Sequence, residues 1–322
     1  MRTLGLILAG LVGGSSWGQS IKLPAVTRAT LGNGMRIVLM EYRRAPVLSV
    51  RLLFRGGSSL DSAGKAGASD LMADMLTQGT ESMSAPDFAE QVDFLGASLS
   101  ASAEPDAVTV SLDLLARDAE AGLDILRDVV RKPAFAAEEL ERRRRLILAG
   151  LQTVVEDPSS VADWVAHDLV FAGHVYGSVP RVSTVTGLSR EDVLDFYKRQ
   201  VTPANAILVA VGDFKSSSML AGLRARFGSW GAGGAMALQQ QKQRTTTPRI
   251  VVVDKPDATQ AQIRFVRAGL PADIVASTLQ TFRRVVVASP AYLRQHRAPT
   301  SPDALAGHEA LVQIPGPVPL DV

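Results

Sequence analysis

Short stretches of this chain are rich in apolar residues or alternate between apolar and polar ones. Side chains of a strand point alternately to its two faces, so such stretches are typical of strands with one buried face. The pattern predicts strands at residues 35–40, 47–54, 98–103, 107–114 and 207–211. The turn sequence Gly32-Asn-Gly34 lies directly before the first of them, which favours a strand pair.

Longer segments between these strands repeat their apolar residues at helical spacing. Helices are predicted at residues 66–78, from just after Ser84, and at 118–131, 137–156, 161–170 and 190–200. The first carries a clear stripe, formed by Leu71, Met72, Met75 and Leu76. Strands and helices mix without strict alternation, so we predict an α+β fold in which helices pack on a mixed or antiparallel sheet.

The two ends of the chain differ from this central part. Arg2, an apolar run at residues 4–12 and the small residues that follow are typical of a secretory signal peptide, with cleavage expected after Gly18. The run is shorter than the ~20 residues that span a membrane, so no membrane association is expected after cleavage. We expect a periplasmic or secreted protein.

Residues 228–247 consist mostly of Gly, Ala, Gln, Ser and Thr and are predicted to be a flexible linker. The first domain is therefore expected to cover residues 26–227, and strands near 249–253 and 260–266 to begin a truncated second domain at 248–268.

Composition and charge narrow the classes of function. The formal net charge is +2, and no basic patch with interleaved aromatic residues is found, so no nucleic-acid partner is expected. Four arginines at residues 142–145 would point around most of a helix, and we interpret them as a solvated face. The sequence has no cysteine, which excludes a disulfide framework and thiolate metal ligands.

Several short motifs follow one another in the order found in one peptidase family. They are Leu31-Gly-Asn-Gly-Met35, Gly64-Lys-Ala-Gly67, Gln78-Gly-Thr80, Gly173-His-Val-Tyr-Gly177, Leu188-Ser-Arg-Glu-Asp192, Thr202-Pro-Ala-Asn205 and Val211-Gly-Asp-Phe214. Over about residues 26–266 the chain resembles the amino-terminal half of pitrilysin/insulinase-type zinc peptidases.

The resemblance implies a location for the family's zinc site. Active members carry His-x-x-Glu-His on the helix after the Gly-Lys-Ala-Gly turn, and the glutamate activates a metal-bound water. The matching positions here hold Asp70 and Asp74 instead of the histidines and Ala73 instead of the glutamate. A later glutamate, the third ligand, is replaced by Ala149 or Gly150. We therefore predict no catalytic residue, no metal and no cofactor.

Other interpretations of these polar residues remain open. Asp70 and Asp74 could hold a hard cation such as calcium, or they could simply flank the buried stripe of their helix. His167 and His174, with Asp163 one turn before His167, form the alternative metal site.

The last part of the chain resembles a different family. Residues 282–293 and 300–308 are similar to the effector-binding domain of LysR-type transcription regulators. The resemblance covers residues 269–322 without a DNA-reading helix-turn-helix segment, and it predicts a fusion or deletion near residues 268–276.

The functional expectation is a non-catalytic, exported subunit of a two-chain zinc peptidase, because family members with degenerate motifs resemble the inactive partners of such enzymes. Its partners would be a catalytic pitrilysin-family chain and peptides. The alternative is a non-functional fusion remnant or an independent peptide-binding module.

Overall fold

The structure, a computed structural model, describes residues 25–172, 174–177, 179–231, 233–234, 251–253, 262 and 264. Its strands are β1 Val26–Thr30, β2 Arg36–Glu41, β3 Val47–Arg55, β4 Ser98–Ala103, β5 Ala107–Leu115 and β6 Ala206–Gly212. Its helices are α1 Ala68–Leu76, α2 Ala85–Phe94, α3 Ala119–Arg131, α4 Ala137–Glu156, α5 Pro158–Val170, α6 Val182–Thr186, α7 Arg190–Gln200 and α8 Ser216–Phe227. The predicted signal peptide and the LysR-like segment lie outside the described residues, as do most of the linker and of the predicted second domain.

The six strands form one mixed sheet in the order β1-β2-β6-β3-β5-β4. Only β2 and β6 run parallel, and every other neighbouring pair is antiparallel. Strand β6 comes from near the end of the described domain and is inserted between β2 and β3. The strands of this one sheet therefore span almost two hundred residues of the chain. The predicted α+β class with a mixed sheet is confirmed.

One face of the sheet forms the core. Along β3 the buried residues are Leu48, Val50, Leu52 and Phe54, and the residues between them are half-buried on the other face. Helix α1 packs on the core face against β4 and β5 and also against α7. Its stripe of Leu71, Met72, Met75 and Leu76 is completely buried.

Three elements were not predicted from the sequence. Strand β1 is a sheet edge with mostly exposed residues, and helix α6 has five residues, so neither produces a periodic apolar pattern. Helix α8 does carry such a pattern, because Met219, Leu223 and Phe227 are buried at a spacing of four. The apolar pattern of α8 was therefore present in the sequence and was missed.

The arginine run on α4 is not a uniform solvated face, and that interpretation was wrong for Arg144. Its side chain is buried, and its guanidinium donates to the carbonyl oxygens of Val185 at 2.7 Å and Thr186 at 3.3 Å. It also pairs with Glu141 at 3.1 Å. The last carbonyls of a short helix lack helical partners, so Arg144 satisfies the end of α6 and fixes it against α4.

Replacing Arg144 with methionine should therefore lower the free energy of unfolding by about 2 kcal/mol, because buried carbonyl groups lose charged donors. Urea denaturation of the purified protein measures this change. Arg145→Met is the matched control, since Arg145 is the exposed neighbour on the same helix, and it should shift the free energy by less than about 0.5 kcal/mol. Equal effects of the two substitutions would contradict a structural role for Arg144.

Candidate functional site

The start of α1 is fixed by a glycine and a carboxylate. Gly67 precedes the helix with φ of 97°, a left-handed conformation that favours glycine. Asp61 accepts hydrogen bonds from the backbone N–H groups of Gly67 at 2.8 Å and Ser69 at 2.9 Å. These bonds satisfy amides that the first helical turn leaves free.

The structure places the three predicted motif positions together on α1. Asp70 and Asp74 are one turn apart and half-buried, so their carboxylates share one side of the helix. Ala73 is buried in the core and offers no polar atom.

Carboxylates crowd this side of α1. Burial raises the pKa of Asp70, and together with the neighbouring charges of Asp61, Asp74 and Glu104 it brings that pKa to about 6. Burial also raises the pKa of Asp61 to about 6, although its hydrogen bonds oppose the shift. The pKa of Asp74 is raised by burial as well, and the guanidinium of Arg143 on α4 opposes that shift. The site is therefore acidic and partly protonated near pH 6.

Helix α4 lies beside α1 and carries the other two predicted positions. Arg142 donates to Oε1 of Gln78, just past the end of α1, at 2.6 Å. Ala149 and Gly150 are exposed, and a Cβ atom built on Gly150 would meet no atom within 4 Å. The position expected for the third zinc ligand therefore has free space and no side-chain donor.

The residues at these positions do not fit a catalytic zinc ion. Such an ion takes three protein ligands, usually including histidine, and leaves one position for water. Here two aspartates are the only donors among the aligned side chains. Among the residues that the structure describes, no group of three or more potential ligand side chains could hold a metal ion.

The alternative histidine site is not assembled either. Nδ1 of His174 accepts a hydrogen bond from the backbone N–H of Tyr176 at 3.2 Å, and the two rings are 4.8 Å apart. The His167 ring instead lies against Phe171, with centroids 4.9 Å apart. Asp163, the proposed third ligand, is engaged by Arg264.

Sequence reasoning missed part of the acidic group. Asp61 could have been found, since an aspartate before a Gly-Lys-Ala-Gly turn and a helix is a plausible cap. Glu104 could not, because only the folding of β4 and β5 brings it towards α1.

A contact near Glu104 holds the segment after α5 in place. The hydroxyl of Tyr176 donates a hydrogen bond to Asp106 in the β4–β5 turn at 2.6 Å. This bond raises the pKa of Tyr176 to about 12 and anchors the segment to the turn.

Two family models match successive parts of the chain. Residues 36–178 match Insulinase (Peptidase family M16), and residues 187–284 match the Peptidase M16 inactive domain. The chain belongs to peptidase family M16. The resemblance to pitrilysin/insulinase peptidases is thereby confirmed at the level of the family. The second match crosses the predicted linker and continues past the predicted boundary at residue 268.

Curated relatives are identical to this M16 protein at between a fifth and a quarter of the aligned positions. An uncharacterized zinc protease of Mycobacterium leprae is 25% identical over 252 residues, which are 76% of this chain and 56% of the relative. The probable mitochondrial-processing peptidase subunit beta of Arabidopsis thaliana is 21% identical, over 80% of this chain and 47% of the relative. The chain thus spans about half the length of the curated relatives it matches.

Solved structures share the fold of the M16 protein. The peptidase M16 inactive domain from Pseudomonas fluorescens superposes with a TM-score of 0.70 at 23% identity, covering 74% of this chain and 58% of that chain. The periplasmic protease PqqL from Escherichia coli superposes with a TM-score of 0.63 at 17% identity, covering 74% and 28%. None of the described helices of the M16 protein combines the length and apolarity needed to cross a membrane.

Asp70→Asn should stabilise the protein in a pH-dependent way. The folded pKa of about 6 lies above the ordinary value of 3.8, so the native state holds this proton more tightly than the unfolded state does. The free energy of unfolding therefore falls as the pH rises from about 4 through about 6. We expect the substitution to raise that free energy by roughly 1–3 kcal/mol at pH 7.5 and to change it little near pH 4.

Urea denaturation at the two pH values tests this expectation. Asp93→Asn, on the exposed side of α2, is the control for removing one negative charge and should give the same small change at both pH values. A destabilising effect of Asp70→Asn at pH 7.5 would show instead that the Asp70 carboxylate makes a favourable contact.

Proposed function

We propose that this M16 protein is an exported, non-catalytic subunit of a two-chain zinc peptidase. The observation that carries the proposal is the composition of α1 at the place of the family's motif, where Asp70, Ala73 and Asp74 stand. The partner would be a catalytic M16 chain that retains His-x-x-Glu-His.

The chemistry of the site supports this assignment. Hydrolysis by the family's route needs a metal-bound water and a carboxylate that removes its proton. Ala73 supplies no base, and neither Ala149 nor Gly150 supplies the distal ligand. Asp70 and Asp74 are half-buried carboxylates with raised pKa values. Below about pH 6 a proton therefore competes with any metal ion for the carboxylate of Asp70.

Relatives support a subunit role and an exported location. The Arabidopsis thaliana relative is named as one subunit of a processing peptidase, which indicates a multi-chain enzyme. PqqL, a structural neighbour, is named as periplasmic, in agreement with the signal peptide expected at residues 1–18. We therefore propose a periplasmic or secreted protein, with peptides as the substrates of the assembled enzyme.

The proposed layout has a first domain at residues 26–227 and the start of a second domain after the linker. The inactive-domain match to residue 284 supports an M16 origin for the chain up to that point. The LysR-like segment at residues 269–322 and the fusion near residues 268–276 stay predictions.

The purified protein should contain no stoichiometric zinc and should cleave no peptide on its own, because the α1 and α4 positions lack the ligands and the base. Elemental analysis and a peptide-library assay measure these two properties. Co-expression with an exported M16 chain that carries the intact motif should give a stable complex. This complex should cleave peptides, and a chelator should abolish that activity.

Chelator-sensitive cleavage by the protein alone would overturn the proposal. Peptide binding without any complex would instead favour the independent binding module. Loss of both binding and complex formation in a folded protein would favour the remnant.

Restoring the motif tests the assignment of the positions themselves. The variant Asp70→His, Ala73→Glu, Asp74→His, Gly150→Glu should bind zinc in a one-to-one complex, because residues one helical turn apart present two imidazoles to one side. A Cβ atom at position 150 would meet no atom within 4 Å, so a side chain can be introduced there without a clash at its base. Isothermal titration with zinc measures the binding.

The matched control keeps Gly150 and carries only the three α1 substitutions. It should bind zinc at least about tenfold more weakly, since one ligand is missing. Equal binding by both variants would show that position 150 does not face α1.

A further inference from the structure

The second half of α4 and the whole of α5 form a helical hairpin, here called the α4–α5 hairpin and defined as residues 146–170. Its surface includes large apolar side chains that the described domain leaves uncovered. Leu146 and Val155 are each 54% exposed. Every residue from 145 to 161 is described, and none of them is buried. On α5 only Ala162 and Ala166 are buried.

Helices α1 and α3 of the same domain bury a full stripe. Helix α3, with the same number of residues as α5, buries six residues against β5 and α8. The corresponding apolar residues of the hairpin, such as Leu151, Val154 and Trp164, are only half-buried. An amphipathic helix is stabilised mainly by packing its apolar face against another element. The uncovered apolar side chains of the hairpin therefore indicate that a further segment packs on them.

One described residue from after the linker, Arg264, already contacts this hairpin. Arg264 forms an ion pair with the carboxylate of Asp163 on α5, with both oxygens as acceptors, and donates to the carbonyl oxygen of Ser159 at 3.3 Å. Two-point contact between a guanidinium and a carboxylate fixes position as well as charge. Arg264 is also the last residue that the structure describes, so residue 265 and the chain after it begin from this contact with α5.

The residues after Arg264 have the length and the chemistry to cover the hairpin. Helix α5 is about 20 Å long, and ten residues reach from about 15 Å as helix to about 33 Å when extended. The family match continues to residue 284. Within it Val275, Leu279 and Phe282 recur at spacings of four and three, the pattern of an apolar helical stripe.

Size argues against an untethered occupant. Two helices side by side, about 20 Å long and about 10 Å wide each, present roughly 400 Å². A stable interface between separate proteins buries about 800 Å² on each partner. A segment of the same chain needs no such area, because its tether already gives it a high effective concentration.

We propose that residues 265–284 of this chain dock on the α4–α5 hairpin, with the Arg264–Asp163 ion pair as the fixed end of the contact. The inference is independent of the catalytic state of the protein.

Engineered disulfides test this proposal in the full chain, which has no cysteine of its own. Leu279→Cys is combined in turn with Leu148→Cys, Leu151→Cys or Val155→Cys. The control pair combines Leu279→Cys with Phe94→Cys, since Phe94 is 88% exposed at the end of α2. At least one hairpin pair should form an intramolecular disulfide tenfold or more faster than the control pair, as measured by peptide mass spectrometry.

Equal rates for all pairs would overturn the proposal, and so would predominant disulfide-linked dimers, which would identify a second copy as the occupant. Hydrogen exchange gives an independent measurement. Leu279→Asp should accelerate exchange in residues 146–165 by tenfold or more, whereas the neighbouring Gln280→Asp should not. Unchanged exchange in a folded Leu279→Asp protein also contradicts the docking.

Discussion

The packing of α1 on the core face of the sheet is the constraint on which the rest of the domain depends. Four apolar residues of this helix are completely buried between β4, β5 and α7, and burial of that kind contributes about 1.5–3 kcal/mol for each large side chain. The helix therefore cannot rotate, and the positions of residues 70, 73 and 74 are set by the core.

The same packing explains why the site tolerates aspartates at a cost. Burial and like charges raise the pKa of Asp70 to about 6, so its ionised form opposes folding near neutral pH. The apolar stripe on the other side of α1 offsets this cost, and Asp61 adds two hydrogen bonds at the start of the helix. A carboxylate at position 70 is thus compatible with the fold without contributing to its stability.

Sequence patterns predicted most of the elements, because strands β2 to β6 and helices α1 to α5 and α7 carry clear apolar periodicity. They could not predict the insertion of β6 between β2 and β3, since strand order depends on contacts between residues far apart in the chain. Strand β1 was not predicted from the sequence, because an exposed edge strand needs few apolar residues. Arg144 was misjudged for a similar reason, since its partners are carbonyl oxygens of α6, and backbone groups leave no mark in the sequence. The motif positions were located by resemblance, whereas the raised pKa values required the folded arrangement of Asp61 and Glu104.

The two unusual features of the domain meet on α4. Its first half is held firmly, because Arg142 contacts the end of α1 and Arg144 is buried against α6. Beyond Arg144 the helix carries the exposed residues Ala149 and Gly150, and none of its residues from 145 to 156 is buried. The docking proposed for residues 265–284 would cover apolar side chains of this half, and full burial of one large apolar side chain contributes about 1.5–3 kcal/mol.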